Sequence, residues 1–242
     1  MNIVFSHSTI PSFNLSAEEY LFKKTGKNFL FLYKNDPSVI IGSNHAVMNE
    51  VDIDYCIDNN ITIIRRMSGG GAVYHDDGNI NYSFIQDKTG APLSAQFLEP
   101  IIEVLHSMEI PVEVGKRKDI WLEGYKISGT ASHVSKGREL HHGTLLYHSD
   151  LIKLQNALTS KQKDITKKAT ASVPSPVINI HTYLFNKSGD VPTISAFLDS
   201  LTDRLLRYFN VLELSTLQES DIEVIEELRR SKYTNREWNY RM

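Results

Sequence analysis

A single cysteine and no sustained apolar run occur in these 242 residues. The lone Cys56 excludes an intramolecular disulfide and any cysteine-rich zinc site, and it suits a reducing cytoplasm. No apolar stretch reaches the roughly 18 residues a membrane-spanning helix needs. The opening MNIVFSHSTIPSFNLSAEE lacks a basic segment leading into an apolar one, so no secretory signal is read there. Neither sign of charge is in excess: 26 Lys plus Arg stand against 29 Asp plus Glu, which argues against a dedicated nucleic-acid binder. Internal repeats and low-complexity tracts are also missing. With 41% hydrophobic and 23% charged residues, the chain has the makeup of a globular protein and is long enough to form a core without disulfide or metal staples.

Ser16 and Glu19 predict a helix start as a capping box. Residues 29–33 and 38–42 read as strands around a turn at Asp36-Pro37, residues 49–59 as a helix, and the β-branched 61–66 as a buried strand. AVYH and INYSFI flank Asp76-Asp77-Gly78-Asn79 and predict a hairpin. Two more antiparallel pairs are expected about Glu123-Gly124 and Lys136-Gly137. Helices are expected near 94–108, 149–158, 193–209 and 219–232. The polar stretch 159–177, with Pro174 and Pro176, reads as a long loop able to cover a site. This pattern predicts an α+β fold, mostly antiparallel sheets flanked by helices, in one domain over 1–242.

Three segments carry chemistry. In Arg65-Arg66-Met67-Ser68-Gly69-Gly70-Gly71-Ala72-Val73-Tyr74-His75, three glycines follow a buried strand. Their backbone can approach a ligand closely and turn successive N–H groups on an anion, with the two arginines as added cationic forks. No Gly-Lys-Ser/Thr follows, so this is not a Walker loop. In Asp119 to Thr130, strand alternation puts Lys126, Ser128 and Thr130 on one face, and Gly129 marks a close approach. In His141-His142-Gly143-Thr144, adjacent histidines face opposite ways, which suits zinc poorly, and one of them is expected to face the cavity of Lys126. Asp76, Asp77 and Asp119 are weaker candidates for Mg²⁺. Cys56 has no basic neighbour and reads as core.

Together these segments, with Asn14-Leu-Ser-Ala-Glu-Glu19, Gly78-Asn-Ile-Asn-Tyr-Ser-Phe84 and Tyr233-Thr-Asn-Arg-Glu-Trp-Asn239, resemble the lipoate–protein ligase A family over nearly the whole chain. The resemblance implies a biotin/lipoate ligase-like large domain and a two-step reaction. Lipoate and ATP give lipoyl-AMP and pyrophosphate, and a lysine of a lipoyl domain then takes the lipoyl group. It implies Lys126 as the catalytic lysine, contacting both substrates. It implies ATP contacts from Arg66, Gly71, Ala72, Val73, Tyr74 and Asp119, and lipoate contacts from Arg66, Ser68, Gly70 and His142. ATP with Mg²⁺ and lipoate are the expected small molecules, with no tightly bound cofactor. The expected partners are lipoyl domains of 2-oxoacid dehydrogenases or the glycine cleavage H protein, with no nucleic acid or membrane.

Bacterial ligases of this family run on for another ~80 to 100 residues, a small domain's worth. The reading here is of the large domain without that C-terminal unit. Three expectations stay open: a separate accessory domain protein, transfer from preformed lipoyl-AMP alone, or a compact ligase. Lys118 stands where many relatives have asparagine. Sister enzymes that move octanoyl groups through a catalytic cysteine need a thiol near the lysine, and the residues before Lys126 have none. The Gly-Arg-Gly-Arg block of biotin ligases is absent. A non-catalytic lipoyl-binding protein is the remaining alternative.

Overall fold

The computed structural model describes residues 1–88, 97–160 and 175–241. Three sheets organise the described residues. The largest has five strands: β1 (Asn2–Phe5), β2 (Phe29–Tyr33), β6 (Asn79–Asp87), β11 (Arg138–Leu146) and β10 (Thr130–Ser135), in the order β1-β2-β6-β11-β10. Only β1 and β2 run parallel in it. The second sheet has β3 (Ser38–Ile41) between β4 (Thr62–Arg65), parallel, and β5 (Val73–His75), antiparallel. The third is the antiparallel β7 (Val112–Val114), β8 (Ile120–Leu122) and β9 (Tyr125–Ser128). The expected α+β class, with mostly antiparallel sheets and flanking helices, is the observed one.

The strand FLFLY is apolar throughout because both its faces are covered. Leu30 and Leu32 join a core with α4 (Glu99–Ser107), α7 (Ile194–Tyr208) and the third sheet. Phe29, Phe31 and Tyr33 alternate onto the other face, against α1 (Pro11–Lys23) and Ile225 of α8 (Glu219–Leu228). The second sheet packs one face on Val47 of α2 (Val47–Glu50), on Cys56 of α3 (Ile53–Asp58) and on Ala157 of α5 (Leu151–Ala157). Its other face meets Leu15 and Tyr233.

The hairpins at Glu123-Gly124 and Lys136-Gly137 are as expected, with positive φ at both central residues of each, as a tight turn matched to strand twist requires. Four expectations change. The first helix starts at Pro11 behind Ile10, because proline preorganises the first turn. Ser16 lies mid-helix, its hydroxyl donating to Ser12 O. The 49–59 helix is two short ones, because Asp52 breaks the run and caps α3 by accepting from Tyr55 N–H. β5 and β6 form no hairpin. Asp76 accepts the N–H groups of Gly78 and Asp150, drawing this turn across to the chain after β11, and the two strands enter different sheets. Two helices escaped the sequence reading, α6 (Ile180–Ser188) and α9 (Arg236–Asn239). Most of the expected covering loop, residues 161–174, and the start of the 94–108 helix lie outside the described residues.

Candidate active site

β4 ends in two arginines whose tasks differ. Arg65 is fully buried, and its guanidinium donates to the carbonyls of Gly42, Ser43, His45, Trp238, Asn239 and Arg241. It ties α9 to the second sheet and is no anion fork, contrary to expectation. Trp238 Nε1 returns a bond to Arg65 O at 2.8 Å. Arg66 turns the other way. It donates to Ser68 Oγ (2.9 Å), Ile40 O (2.8 Å), Gly69 O (2.6 Å) and Gly71 O (2.8 Å). Burial pulls its pKa down to about 10, with Glu18 opposing the shift, so it stays charged at neutral pH. Arg66 therefore folds the triglycine loop around itself. Gly70 sits at φ +88°, which favours glycine.

The loop opens on a cavity of about 390 Å³. Gly70, Gly71, Ala72 and Val73 line it, as do Arg66, Asp119, Lys126 and His142. Among the described residues the N–H groups of Gly69, Gly70 and Gly71 make no protein hydrogen bond, leaving an anion nest beside the cavity. The N–H of Ala72 is spent: it donates to Glu50 Oε2 at 3.2 Å. Ser68 is buried behind the lining rather than in it. Tyr74 faces a second cavity of about 590 Å³, where its buried hydroxyl has no partner. The two cavities share a wall of Ala72, Val73, Lys126, Gly129 and Thr144.

Lys126 projects from β9 just before Gly129, where the chain passes from the third sheet to the edge of the first. Its Nζ lies 3.4 Å from Asp119 Oδ2. Burial pushes the Asp119 carboxyl up, but Trp121 and Lys126 outweigh it and hold the group below its ordinary value. Both its oxygens are buried without a full hydrogen bond. Ser128 lines the second cavity and Thr130 the first, each alongside Lys126, though both hydroxyls have protein partners. The Ser128 hydroxyl faces Tyr82 Oη, and Thr130 Oγ1 donates to Lys118 O at 2.8 Å.

At the far wall a polar chain is built. Arg66 Nε donates to Ser68 Oγ, Ser68 Oγ lies 2.7 Å from His142 Nε2, and His142 Nδ1 is 2.9 Å from Glu18 Oε1. Burial lifts the Glu18 carboxyl, but His142, Ser83 and Arg66 outweigh it and keep it low. Glu18 is thus an acceptor, which makes His142 Nδ1 the donor and leaves Ser68 O–H to donate to Nε2. His141, on the opposite face, packs on Phe97 at 4.4 Å. The adjacent histidines divide as expected.

Sequence reasoning missed Glu18, Glu50 and His75. Asn14 Nδ2 donates to Asn35 Oδ1, and Asn35 Nδ2 donates to His75 Nδ1 at 3.0 Å. This orders the His75 tautomer and leaves a buried Nε2–H without a partner in the wall of the first cavity. Burial, with repulsion from Arg66 and His142, pulls its pKa down to about 3, so the ring is neutral. Asn14 and Glu18 lie in the motif Asn14–Glu19, which reads as a helix start and as part of the family resemblance, with no site role given to either residue. Asp76 is spent on backbone N–H groups. Among the described residues no group of three or more His, Cys, Asp or Glu gathers as a metal site. Cys56 is buried under the second sheet and lines neither cavity, and burial pushes its thiol up to about 11.

A charged lysine, an anion nest and a partly apolar cavity suit a carboxylate joined to a phosphate, and comparison with known proteins agrees. The lipoyl protein ligase A/B catalytic domain matches residues 10–205. Lipoate-protein ligase LplJ of Bacillus subtilis is 37% identical over 95% of this chain and 70% of its own length. Lipoate–protein ligase 1 of Staphylococcus aureus is 39% identical over 96% and 70%. Among solved structures, a Thermoplasma acidophilum protein with bound lipoic acid superposes with a TM-score of 0.81 at 26% identity, covering 99% of this chain and 98% of that one. A lipoate-protein ligase A bound with ATP gives 0.81 at 26%, over 99% and 98%. A bi-partite T. acidophilum ligase, studied with its E2 lipoyl domain, gives 0.83 at 26%, over 99% and 95%. With the family matched across most of its length and its fold shared end to end with these structures, the chain belongs to the lipoyl protein ligase A/B catalytic domain family.

Proposed function

We propose that this chain is an ATP-dependent lipoate–protein ligase, and that Lys126 is its catalytic lysine. Family membership supports the activity. The observation that carries the residue assignment is the place of Lys126 in the wall shared by two cavities. The lipoyl chain enters the first cavity, along Leu15, Ile40 and Ala131, with the polar chain Ser68–His142–Glu18 at its far side. The nucleoside takes the second, beside Val73 and Tyr74. The lipoate carboxylate attacks the α-phosphorus, an O–P bond forms, and pyrophosphate leaves with the electrons of the broken bond. Lys126 neutralises the carboxylate and α-phosphate oxygens as they meet, and the N–H groups of Gly70 and Gly71 donate to the oxygens on which charge develops. In the second step the acceptor amine attacks the acyl carbon, the C–O bond to AMP breaks, and an amide forms.

Arg66 acts by shaping the loop that Gly70 and Gly71 present. Asp119 would hold Mg²⁺: its carboxylate oxygens lack full hydrogen bonds, and Mg²⁺ needs only one or two carboxylates where phosphates supply the rest. The ion would supply further charge neutralisation on the phosphates. Acceptors are lipoyl domains of 2-oxoacid dehydrogenases or the glycine cleavage H protein. One unpaired buried cysteine and a need for ATP suit the cytoplasm. Transfer through a cysteine is disfavoured by the depth of Cys56. An intact Lys126–Asp119 pair disfavours a non-catalytic binding protein.

The test is mass spectrometry of an apo lipoyl domain incubated with the chain, lipoate, ATP and Mg²⁺. Lipoylation that needs all of these supports the reading, and modification that proceeds without ATP overturns it.

A further inference from the structure

We propose that Arg117 holds the β- and γ-phosphates of ATP and stays on the pyrophosphate as it leaves. The proposal rests on the ligase reading and adds to it a residue outside the constellation already described.

The argument is by subtraction. A triphosphate and a carboxylate must be neutralised together, yet most cationic groups of the first cavity are engaged. Arg66 spends three hydrogen bonds on its own loop and a fourth on Ile40 O of β3. Lys126, 3.4 Å from Asp119, is already assigned to the carboxylate and α-phosphate oxygens. His45 and His142 face Glu50 and Glu18. Arg117 also lines this cavity, is exposed, and makes no hydrogen bond or ion pair among the described residues. Among the described residues it is the free cation of that cavity.

Its position is fixed by the backbone. Arg117 lies in the turn between β7 and β8, where Gly115 N–H donates to Asp119 O (2.8 Å) and Lys118 N–H donates to Gly115 O (3.0 Å). Lys118 adopts φ +60°, and its carbonyl is held by Thr130 Oγ1. At Gly115 a Cβ would strike the Asp119 carboxylate and the Trp121 indole, so this turn and the acidic partner of Lys126 are built as one unit. Arg117 thus stands two residues from Asp119, the carboxylate assigned to Mg²⁺, on a hydrogen-bonded corner of the first cavity. A guanidinium fork suits two phosphate oxygens at once. Lys116, next in the same turn, does not line the first cavity.

The experiment is calorimetric binding of ATP and of a non-reactive acyl-adenylate, lipoyl-sulfamoyl-adenosine, which lacks β- and γ-phosphates. It uses the full chain, Arg117→Ala, Arg117→Lys and Lys116→Ala. Arg117→Ala is expected to weaken ATP about ten- to a hundredfold, the range of one charged hydrogen-bonded contact, and the adenylate less than about twofold. Arg117→Lys recovers part of the loss, and Lys116→Ala, with the same change in charge, stays within about twofold for both ligands. Equal weakening of both ligands by Arg117→Ala, or of neither, overturns the assignment. A wild-type chain that binds neither ligand overturns the parent reading instead, and the wild-type titration separates the two failures.

Discussion

Lys126 Nζ lies 3.4 Å from Asp119 Oδ2, in a wall common to two cavities. The pair links the residue just before β8 to β9, the two strands of the third sheet's second hairpin, so the reactive cation is held by local structure. The lysine side chain is about one-quarter exposed, the aspartate almost wholly buried. Substrate anions can therefore reach the lysine without either charge leaving its place.

Lys126→Ala is expected to lower adenylate formation by about a thousandfold, the scale of losing a fixed charge at developing anions. The thermal midpoint should move by only a few degrees, because a partly exposed ion pair adds little stability. Quenched-flow detection of lipoyl-AMP together with a melting curve checks both. A variant that keeps its activity, or one that unfolds, contradicts the assignment.

Arg65 and Arg66 should separate stability from activity. Arg65→Met leaves six carbonyls without their donor and should cost about 3 to 5 kcal/mol in urea unfolding, through the loss of α9 from the second sheet. Arg66→Lys keeps the charge but cannot bond Ser68, Ile40, Gly69 and Gly71 in one plane. Its main expected effect is a rise of about tenfold or more in KM for ATP and lipoate. Urea midpoints and steady-state kinetics on both variants measure the difference.

Gly42 packs so closely on the triglycine loop that a Cβ would meet Gly70 O. Gly42→Ala should displace Gly70 and cost about 1 to 3 kcal/mol of stability, the range for overpacking. It should also lower kcat, because Gly70 and Gly71 present the anion nest. Unchanged kcat with lowered stability would show that the loop accommodates the shift.

His75 gives a signed pH dependence. The unfolded chain protonates this ring near its ordinary value of 6.5, the folded chain only near about 3. Between those values the unfolded state binds the extra proton, so stability falls as pH drops below 6.5, by at most about 1.4 kcal/mol per pH unit. His75→Gln should flatten this slope. Urea midpoints at pH 7 and pH 5 for both proteins test it, and parallel slopes would contradict the burial argument.

Most residues of the sequence motifs line one candidate cavity, and the exceptions have physical causes. Gly70, Gly71, Lys126, Asp119 and His142 do converge on one cavity, because backbone freedom, strand position and side-chain type leave local traces in sequence. Arg65 and Arg66 look alike in the chain, yet one faces each side of β4, and only the fold reveals that Arg65 serves the C-terminal segment. Glu18 was hidden because a carboxylate on a helix is ordinarily solvated; here it is buried by pairing with a histidine 124 residues away. The Asp76–Asn79 turn carried a strong hairpin signal, but a tight turn sets a direction and not the partner, and β5 and β6 pair elsewhere. Ser16 had the right neighbours for a cap, and Pro11 one turn earlier prevailed.

Lipoate-dependent exchange of labelled pyrophosphate into ATP, run side by side with wild type and Lys126→Ala, tests the central claim most directly. The account predicts exchange by the wild-type chain that requires both lipoate and Mg²⁺ and disappears in the variant. Exchange that is unaffected by Lys126→Ala, or that runs equally well without lipoate, would contradict it.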